Sequence, residues 1–301
     1  MSIPSGTTKR SSADAASRSV SMLERVLVNL LLVAAVGFAL YPVLWVVALA
    51  ITPAGAGDAK VLPIPRHASD VTFDNFRIVL GWGNPEKSWL FGRQLFNSVV
   101  VSLVTAGVAV AIATPAAYAL ARFDFVGKRS GMRTLLMTQM FPGVASAVPL
   151  YLILDALHLL DTRSGLVLVY AATAVPFAIF QLRGAFLAIP VDLEEAAMVD
   201  GATRTQAFLK VAVPAARPAL AVTFLFAFMS AWNEFILAAT LLGRESSFTL
   251  PVVLQSYVGE HDAQWGAFAA GAIIVSVPVM ILFYIAQRQL VSGLTSGGVK
   301  G

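Results

Sequence analysis

The 301-residue chain has no cysteine and few charged residues. The lack of cysteine excludes a disulfide framework, a thiolate metal site and a thiol nucleophile. Only 13% of the residues are charged, against about 25% in soluble domains, whereas 57% are hydrophobic. This composition excludes a disordered chain, a coiled coil and an ordinary cytosolic enzyme, and it indicates a membrane protein. The modest net charge of +4 reflects membrane topology rather than nucleic-acid binding.

The chain also lacks the sequence patterns of common catalytic and metal sites. It has no G-x-x-x-x-G-K-[ST] phosphate loop, so we expect ATP hydrolysis to take place on a separate subunit. The three histidines, His67, His158 and His261, are too far apart in sequence to give a metal-ligand spacing. We therefore predict no catalytic residue, no metal and no cofactor on this chain.

Six stretches, nearly free of charge, are each long enough to cross a bilayer as a helix. They are residues 26–51, 94–121, 134–154, 164–182, 218–242 and 263–287. Continuous apolar runs of this length favour helices over the alternating strands of a barrel. The sequence thus predicts an all-α integral membrane protein with six transmembrane helices in one domain, residues 26–301. Residues 1–25 are predicted to form a disordered cytoplasmic tail.

Positive charge is divided unequally between the two sides of the predicted spans. With both termini on one side, that side holds fourteen of the 21 Lys and Arg residues. The excess predicts that both termini, including a tail at residues 288–301, are cytoplasmic. On the outer side, the loop 52–93 contains Phe73, Phe76, Val79 and Leu80, whose spacing predicts a short interfacial helix.

The cytoplasmic loop 183–217 carries the most specific pattern. Two polar pairs with the three-residue spacing of a capping box predict the starts of two short helices: Asp192 with Glu195, and Thr203 with Gln206. Gly201 should end the first helix, because glycine is common just past a helix end. Pro214 should end the second, because proline removes a backbone donor.

Acidic, small and apolar side chains share this loop: Glu194, Glu195, Ala196, Ala197, Phe208 and Val211. Such a mixture suits docking to a partner protein, since alanines allow close approach and carboxylates attract a basic surface. It suits equally well a helical hairpin that lies on the membrane and holds the fourth and fifth spans together.

The spacing within this loop resembles a known family motif. Glu195-Ala196-Ala197 is followed after three residues by Gly201 and after nine more by 211–214. This pattern resembles the EAA loop of ABC importer permeases, although Val211 and Val213 stand where Ile and Leu are usual. In that family the loop places a coupling helix in a cleft of an ATPase subunit. The resemblance implies an ATPase-coupling role for Glu194, Glu195, Ala196, Ala197, Asp200, Gly201, Phe208 and Pro214.

Three further stretches are similar to carbohydrate permeases of this family: residues 117–123, 232–235 and 293–301. The last is similar to the tail of maltose and maltodextrin permeases, which reaches into the ATPase dimer. The resemblance implies ATPase contacts for Gly297, Gly298 and Lys300. It also implies that the last outer loop contacts a binding protein. The matching residues here, Gln255, Ser256, Tyr257, Val258 and Gly259, fit only loosely.

The resemblance implies a permease subunit of an ATP-driven maltose/maltodextrin importer in the bacterial inner membrane. The implied partners are a second permease in a heterodimer, two copies of an ATPase that binds ATP and Mg, a sugar-binding protein and membrane lipid. One alternative is a permease for another sugar, such as trehalose. Another is an ion-coupled secondary carrier, against which stand the EAA-like loop and the lack of paired intramembrane carboxylates.

Glu234 is the one acidic residue inside the predicted spans. A charge in a span is by default a functional candidate, so Glu234 and its neighbour Asn233 are candidates for the translocation path. The alternative, which we favour slightly, is that Glu234 lies at a capped helix end near the outer edge of the membrane, in contact with water.

Overall fold

The computed structural model describes residues 22–53, 71–140, 143–259 and 263–297. They form thirteen α-helices: α1 (Met22–Ala50), α2 (Asp74–Leu80), α3 (Pro85–Arg122), α4 (Lys128–Met140), α5 (Ala147–Ala156), α6 (Arg163–Ala188), α7 (Asp192–Val199), α8 (Arg204–Ala207), α9 (Val213–Ala215), α10 (Arg217–Trp232), α11 (Ile236–Leu241), α12 (Leu250–Ser256) and α13 (Trp265–Gly297). A π-helical turn, Phe208–Ala212, joins α8 to α9. Within these ranges the β-pairing is a single bridge between Val258 and Ala263. The all-α prediction is confirmed.

The chain divides into two units, one ending at Val46 and the other beginning at Val47. In the first unit, α1 starts at Met22 and continues as a helix through Pro42. Its start lies four residues before the predicted first span. The predicted disordered tail falls mostly on residues 1–21, which lie outside the described residues, whereas Met22–Arg25 are helical.

Four of the described helices are long and apolar enough to cross a membrane: α1, α3, α6 and α13. They correspond to the predicted spans 26–51, 94–121, 164–182 and 263–287. A fifth candidate consists of two helical segments, Arg204–Ala215 and Arg217–Trp232, whose axes differ by 72°. The helices extend beyond the predicted ends, since α3 begins at Pro85 and α13 continues to Gly297.

Two predicted spans are not continuous helices. The stretch 134–154 is divided between α4 and α5, which are separated by a 3₁₀ turn at Gly143–Ser146. The stretch 218–242 is divided between α10 and α11, with a break at 233–235. Predicting each as one helix was wrong, because an uncharged run gives the length of an apolar segment but does not show where its backbone hydrogen bonding stops.

Helix α3 forms the centre of the second unit, packing mainly against α6 and α10. Small side chains recur every three or four residues along its buried face, all fully buried: Ala106, Ala109, Ala113 and Ala117. Small residues at a helix interface let the backbones approach closely, which is how helices pack without a hydrophobic driving force inside lipid. The stripe therefore fixes α3 against its neighbours over residues 106–117.

The short helix predicted in the loop 52–93 is present as α2. Its Asn75 is buried and donates hydrogen bonds to the carbonyl oxygens of Ala50 and Thr52, both at 2.9 Å. The first turn of α13 approaches so closely that a Cβ atom added to Gly266 would lie 2.6 Å from the Asn75 side chain. Asn75 thus joins the end of α1, α2 and the start of α13.

Replacing Gly266 with alanine should destabilise this junction. The new methyl group would displace the Asn75 amide and break hydrogen bonds that contribute about 1 kcal/mol each. We expect Gly266→Ala to lower the thermal unfolding temperature of the purified protein. Gly107→Ala is the matched control, because a Cβ there meets nothing within 4 Å. Equal unfolding temperatures for the two variants would contradict this account.

Candidate functional site: two loops at opposite ends of α3

The predicted short helices in the loop 183–217 are present, but only one capping box forms. Thr203 and Gln206 cap α8 reciprocally, at 2.8 and 3.3 Å, as predicted. The box predicted for Asp192 and Glu195 is wrong, since the N-cap of α7 is Val191 and no side chain caps this end. The acidic residues of α7 are therefore free for other contacts.

Gly201 ends α7 as predicted. Its φ of +93° lies in the left-handed region, which favours glycine. The Gly201 N–H donates to the Met198 carbonyl at 3.1 Å, and the Ala202 N–H donates to the Ala197 carbonyl at 2.9 Å. This pair of bonds is a Schellman motif, which satisfies carbonyls that the helix end would otherwise leave unpaired.

Pro214 does not end the second helical segment, contrary to the prediction. The π-helical turn before it lets the Val213 N–H donate to the Phe208 carbonyl, one residue further back than in an α-helix. The chain remains helical through Ala215, and the 72° bend follows. The wider turn accommodates the proline, so the helical segment continues from α8 almost to the start of α10.

Glu194, one of the predicted coupling residues, is buried in an ion pair. Its carboxylate accepts hydrogen bonds from Arg122 Nε at 2.8 Å and from the Tyr118 hydroxyl at 2.5 Å. Arg122 Nη2 lies 2.7 Å from the same carboxylate and also donates to the Ile189 carbonyl at 3.0 Å. The side chains of Arg122 and Glu194 are only 7% and 5% exposed. This ion pair joins α7 to the last turn of α3 and to the end of α6.

An aromatic cluster surrounds the ion pair. The Tyr118 ring lies 4.5 Å from that of Phe208 and 5.6 Å from that of Phe186, centroid to centroid. Ala212 and Ala216 are buried in the same apolar cluster. Phe208, predicted to contact a partner, thus lies partly inside this packing. The segment from α8 to α9 is therefore packed against α3 and α6, as α7 is.

The remaining predicted coupling residues are mostly exposed. Glu195, Ala196, Asp200 and Gly201 are exposed, and Ala197 is half-buried. Apolar side chains are exposed beside them: Val191, Leu193, Leu209 and Val199, of which the last is 87% exposed. The loop thus presents an apolar surface interrupted by carboxylates. We call these residues, Val191, Leu193, Glu195, Ala196, Val199, Asp200 and Leu209, the docking face.

A second loop, residues 243–250, is held at the other end of α3. The Asn97 side-chain Nδ2 donates to the backbone carbonyls of Ser246 and Phe248 at 3.0 and 3.1 Å, and its Oδ1 accepts from Arg163 Nε at 2.7 Å. The Leu250 N–H donates to Ser98 Oγ at 2.7 Å, which fixes the start of α12. Asn97 and Arg122 are 25 residues apart on α3, or about 38 Å of helix. This separation exceeds the roughly 30 Å bilayer core.

An ion pair between Asp161 and Arg244 closes this second end. Burial alone would raise the pKa of Asp161, but hydrogen bonds from Arg244 and from the Gly243 and Arg244 backbones outweigh it, so the pKa is lowered. The Asp161 N–H also donates to the Leu241 carbonyl at 3.0 Å. The loop before α6 and the loop after α11 are thereby joined.

The residues predicted to contact a binding protein lie at this same end. Gln255 and Ser256 form the last turn of α12 and are exposed, as is Gly259. Tyr257 is half-buried, and its burial raises the pKa of the phenol. Its carbonyl accepts from the Gln264 N–H at 2.8 Å, which draws the two sides of the loop together. Residues 260–262 lie outside the described residues.

Glu234 caps a helix in the break between α10 and α11. Its carboxylate accepts the N–H groups of Leu237 and Ala238 at 2.8 and 3.0 Å, and the Tyr170 hydroxyl at 2.6 Å. The neighbouring Asn233 side chain is exposed and donates to the Met229 carbonyl. The capped-end interpretation of Glu234 matches these contacts, although the side chain is only partly exposed.

The predicted ATPase-contacting tail is only partly described. Gly297 is the last residue of α13, so residues 288–297 of the predicted tail continue this helix. Gly298 and Lys300 lie outside the described residues.

Comparison with known proteins identifies the family. The sequence profile described as "binding-protein-dependent transport system inner membrane component" matches residues 107–296. The chain belongs to this family. The matched region includes α6, the docking face and the Glu194 ion pair, though not the first half of α3. Members are permease components, so the chain is a non-catalytic subunit and ATP hydrolysis belongs to a separate one.

Curated relatives and one solved structure agree with this assignment. The chain is 41% identical over 269 residues to the trehalose transport system permease protein SugB of Mycobacterium tuberculosis, covering 88% of the chain and 94% of the relative. It is 36% identical over 289 residues to the maltose/maltodextrin transport system permease protein MalG of Escherichia coli, covering 91% and 95%. A bacterial ABC transporter involved in import of the acidic polysaccharide alginate matches at 28% identity and a TM-score of 0.70, covering 89% and 98%. The chain is therefore an ABC sugar importer permease.

Sequence reasoning missed Arg122 and Tyr118 as partners of Glu194. Both lie in the stretch 117–123 that resembles other carbohydrate permeases. Their four-residue spacing places both side chains on one helix face. An arginine at the end of a span, however, is already explained by the positive-inside rule. Its position therefore gave no reason to expect an ion pair.

Replacing Glu234 separates its two interpretations. Glu234→Ala removes the cap of α11 and the acceptor for Tyr170, so we expect a loss of about 2 kcal/mol in stability. Glu234→Gln keeps one acceptor oxygen and should cost less, with transport close to normal. The measurements are thermal unfolding and uptake at matched membrane levels. A Glu234→Gln variant that is stable but inactive would instead place the charge in the translocation path.

Proposed function

We propose that this chain is one of two transmembrane subunits of an ATP-driven importer for a neutral glucose disaccharide. In this proposal a binding protein delivers the sugar on one side of the membrane, and two copies of an ATPase bind ATP and Mg on the other. The observation that carries the proposal is the placement of two differently built loops at opposite ends of α3, with the exposed docking face at one of them.

The docking face is the proposed ATPase contact. Covering apolar side chains such as Val199 and Leu193 with a partner removes them from water, which lowers the free energy of the complex. The exposed carboxylates of Glu195 and Asp200 favour a basic groove on that partner. The exposed small side chain of Ala196 lets the helix lie close to the groove wall.

The opposite end is the proposed contact with the binding protein. Gln255, Ser256 and Gly259 are exposed there and supply polar groups. They are supported by α12, whose start is fixed to α3 through Ser98. We further propose that this end is outside the cytoplasm, that both termini are inside, and that α4 and α5 together form the sixth crossing.

The proposed solute is uncharged because the predicted spans contain no Lys or Arg to bind an acidic sugar or a phosphate. Relatives named for trehalose and for maltose both match most of the chain. The higher identity to the trehalose permease favours trehalose, whereas the C-terminal likeness favours maltodextrins. A tail that contacts an ATPase does not bind the sugar, so its likeness says little about sugar specificity. We therefore place trehalose first and maltose second.

Uptake of labelled trehalose, maltose and maltotriose tests this proposal. Cells lacking the gene should lose uptake of one of these sugars, and the intact gene should restore it. The gene carrying Gly201→Asp should not restore it, because aspartate at φ +93° strains the turn that ends α7.

The matched control is Gly131→Asp, which adds the same charge to α4 at a glycine without positive φ or close neighbours. It should restore uptake. Restoration by Gly201→Asp at normal membrane levels would contradict the coupling role. Unchanged uptake of all three sugars on deletion would contradict the solute class.

A further inference from the structure

We propose that Glu194 is a positioning residue that fixes the coupling helix α7 to α3 and α6, so that these three helices move as one body when the ATPase binds ATP. The inference rests on the proposed ATPase partner. It divides adjacent acidic residues between two tasks, with Glu195 facing the partner and Glu194 facing the permease itself.

Glu194 is unavailable for docking. It is only 4% exposed, and both carboxylate oxygens are occupied by the Tyr118 hydroxyl and the Arg122 guanidinium. Glu195 is exposed on the next position of the helix. Of these two carboxylates, only that of Glu195 is accessible to an incoming partner.

The Arg122 guanidinium makes the connection to two helices at once. Its Nε and Nη2 atoms lie 2.8 and 2.7 Å from one Glu194 oxygen, and Nη2 also donates to the Ile189 carbonyl at the end of α6. An arginine that binds a carboxylate through two nitrogens fixes orientation as well as distance. Sliding α7 relative to α3 would break these bonds and leave both charges buried without a partner, which is costly.

A second attachment prevents rotation about the ion pair. Tyr118, one turn before Arg122, contacts the Phe208 ring at 4.5 Å. Phe208 begins the π-helical turn on the far side of Gly201. The two parts of the loop on either side of Gly201 are thus fixed to α3. The ion pair holds α7, and ring packing holds the π-helical turn. A displacement of the docking face would therefore act on α3 through both of these contacts.

Spin labels test the single-body claim, because the chain has no native cysteine. Asp192→Cys on α7, which lies outside the docking face, and Ile112→Cys on α3 are both exposed positions for labels. The intact complex is purified with its ATPase, and the distance between the labels is measured with and without a non-hydrolysable ATP analogue. We expect the distance between the two labels to be the same with and without the analogue. A distance that changes when the analogue binds would overturn the inference.

The variant Glu194→Gln tests the residue. It keeps an acceptor for Tyr118 but removes the negative charge that holds Arg122. We expect the ATPase to co-purify at the normal level, while stimulation of ATP hydrolysis by the sugar-loaded binding protein falls about tenfold, within the range of measured coupling between sites. In this variant the label distance should change or broaden with the analogue. Normal stimulation would overturn the inference.

Glu195→Gln is the matched control. It alters the docking face without touching the ion pair, so it should lower the amount of ATPase that co-purifies and leave the label distance in the remaining complex unchanged. Loss of co-purification with Glu194→Gln instead of Glu195→Gln would reverse the proposed roles and overturn the inference. Failure of the unmodified chain to co-purify with any ATPase would contradict the proposed function itself.

Discussion

The buried contact between Glu194, Arg122 and Tyr118 is the constraint on which the arrangement of the functional loop depends. Charged groups inside an apolar region are costly unless paired. Here Arg122 pairs with the Glu194 carboxylate, which also accepts a hydrogen bond from the Tyr118 hydroxyl. The ion pair holds α7 against the end of α3, and the Tyr118 ring holds Phe208 and the π-helical turn. Because both parts of the loop are attached to the membrane helices, the residues left over, including Glu195 and Val199, face outward as a fixed surface.

The same helix also holds the second loop, residues 243–250. Asn97 and Ser98, in the first half of α3, hold the loop that leads into α12, and the Asp161–Arg244 ion pair reinforces it. Between the two ends, the alanine stripe on α3 packs against α6. A long helix with small residues along one face and polar groups at both ends can connect two loops on opposite sides of a bilayer.

The sequence predicted the helical class, four of the long helices and the two short helices around Gly201. These follow from local rules: apolar length for the spans, glycine after a helix end, and the Thr203–Gln206 capping box. The failures have different physical causes. Val191 and not Asp192 is the N-cap of α7, a π-helical turn carries the chain past Pro214, and Glu234, bonded to Tyr170, caps α11 at the break in 218–242. The role of Glu194 depends on Arg122, 72 positions earlier, and no local pattern reports that pairing.

The central claim is that the docking face and the loop after α12 meet different partners. Its most direct test is cross-linking from single cysteines, which the cysteine-free chain permits. With Ala196→Cys, a short bifunctional reagent should join the chain to the ATPase. With Ser256→Cys, it should join the chain to the sugar-binding protein and not to the ATPase. Cross-linking of the ATPase from position 256, or of the binding protein from position 196, would contradict the account.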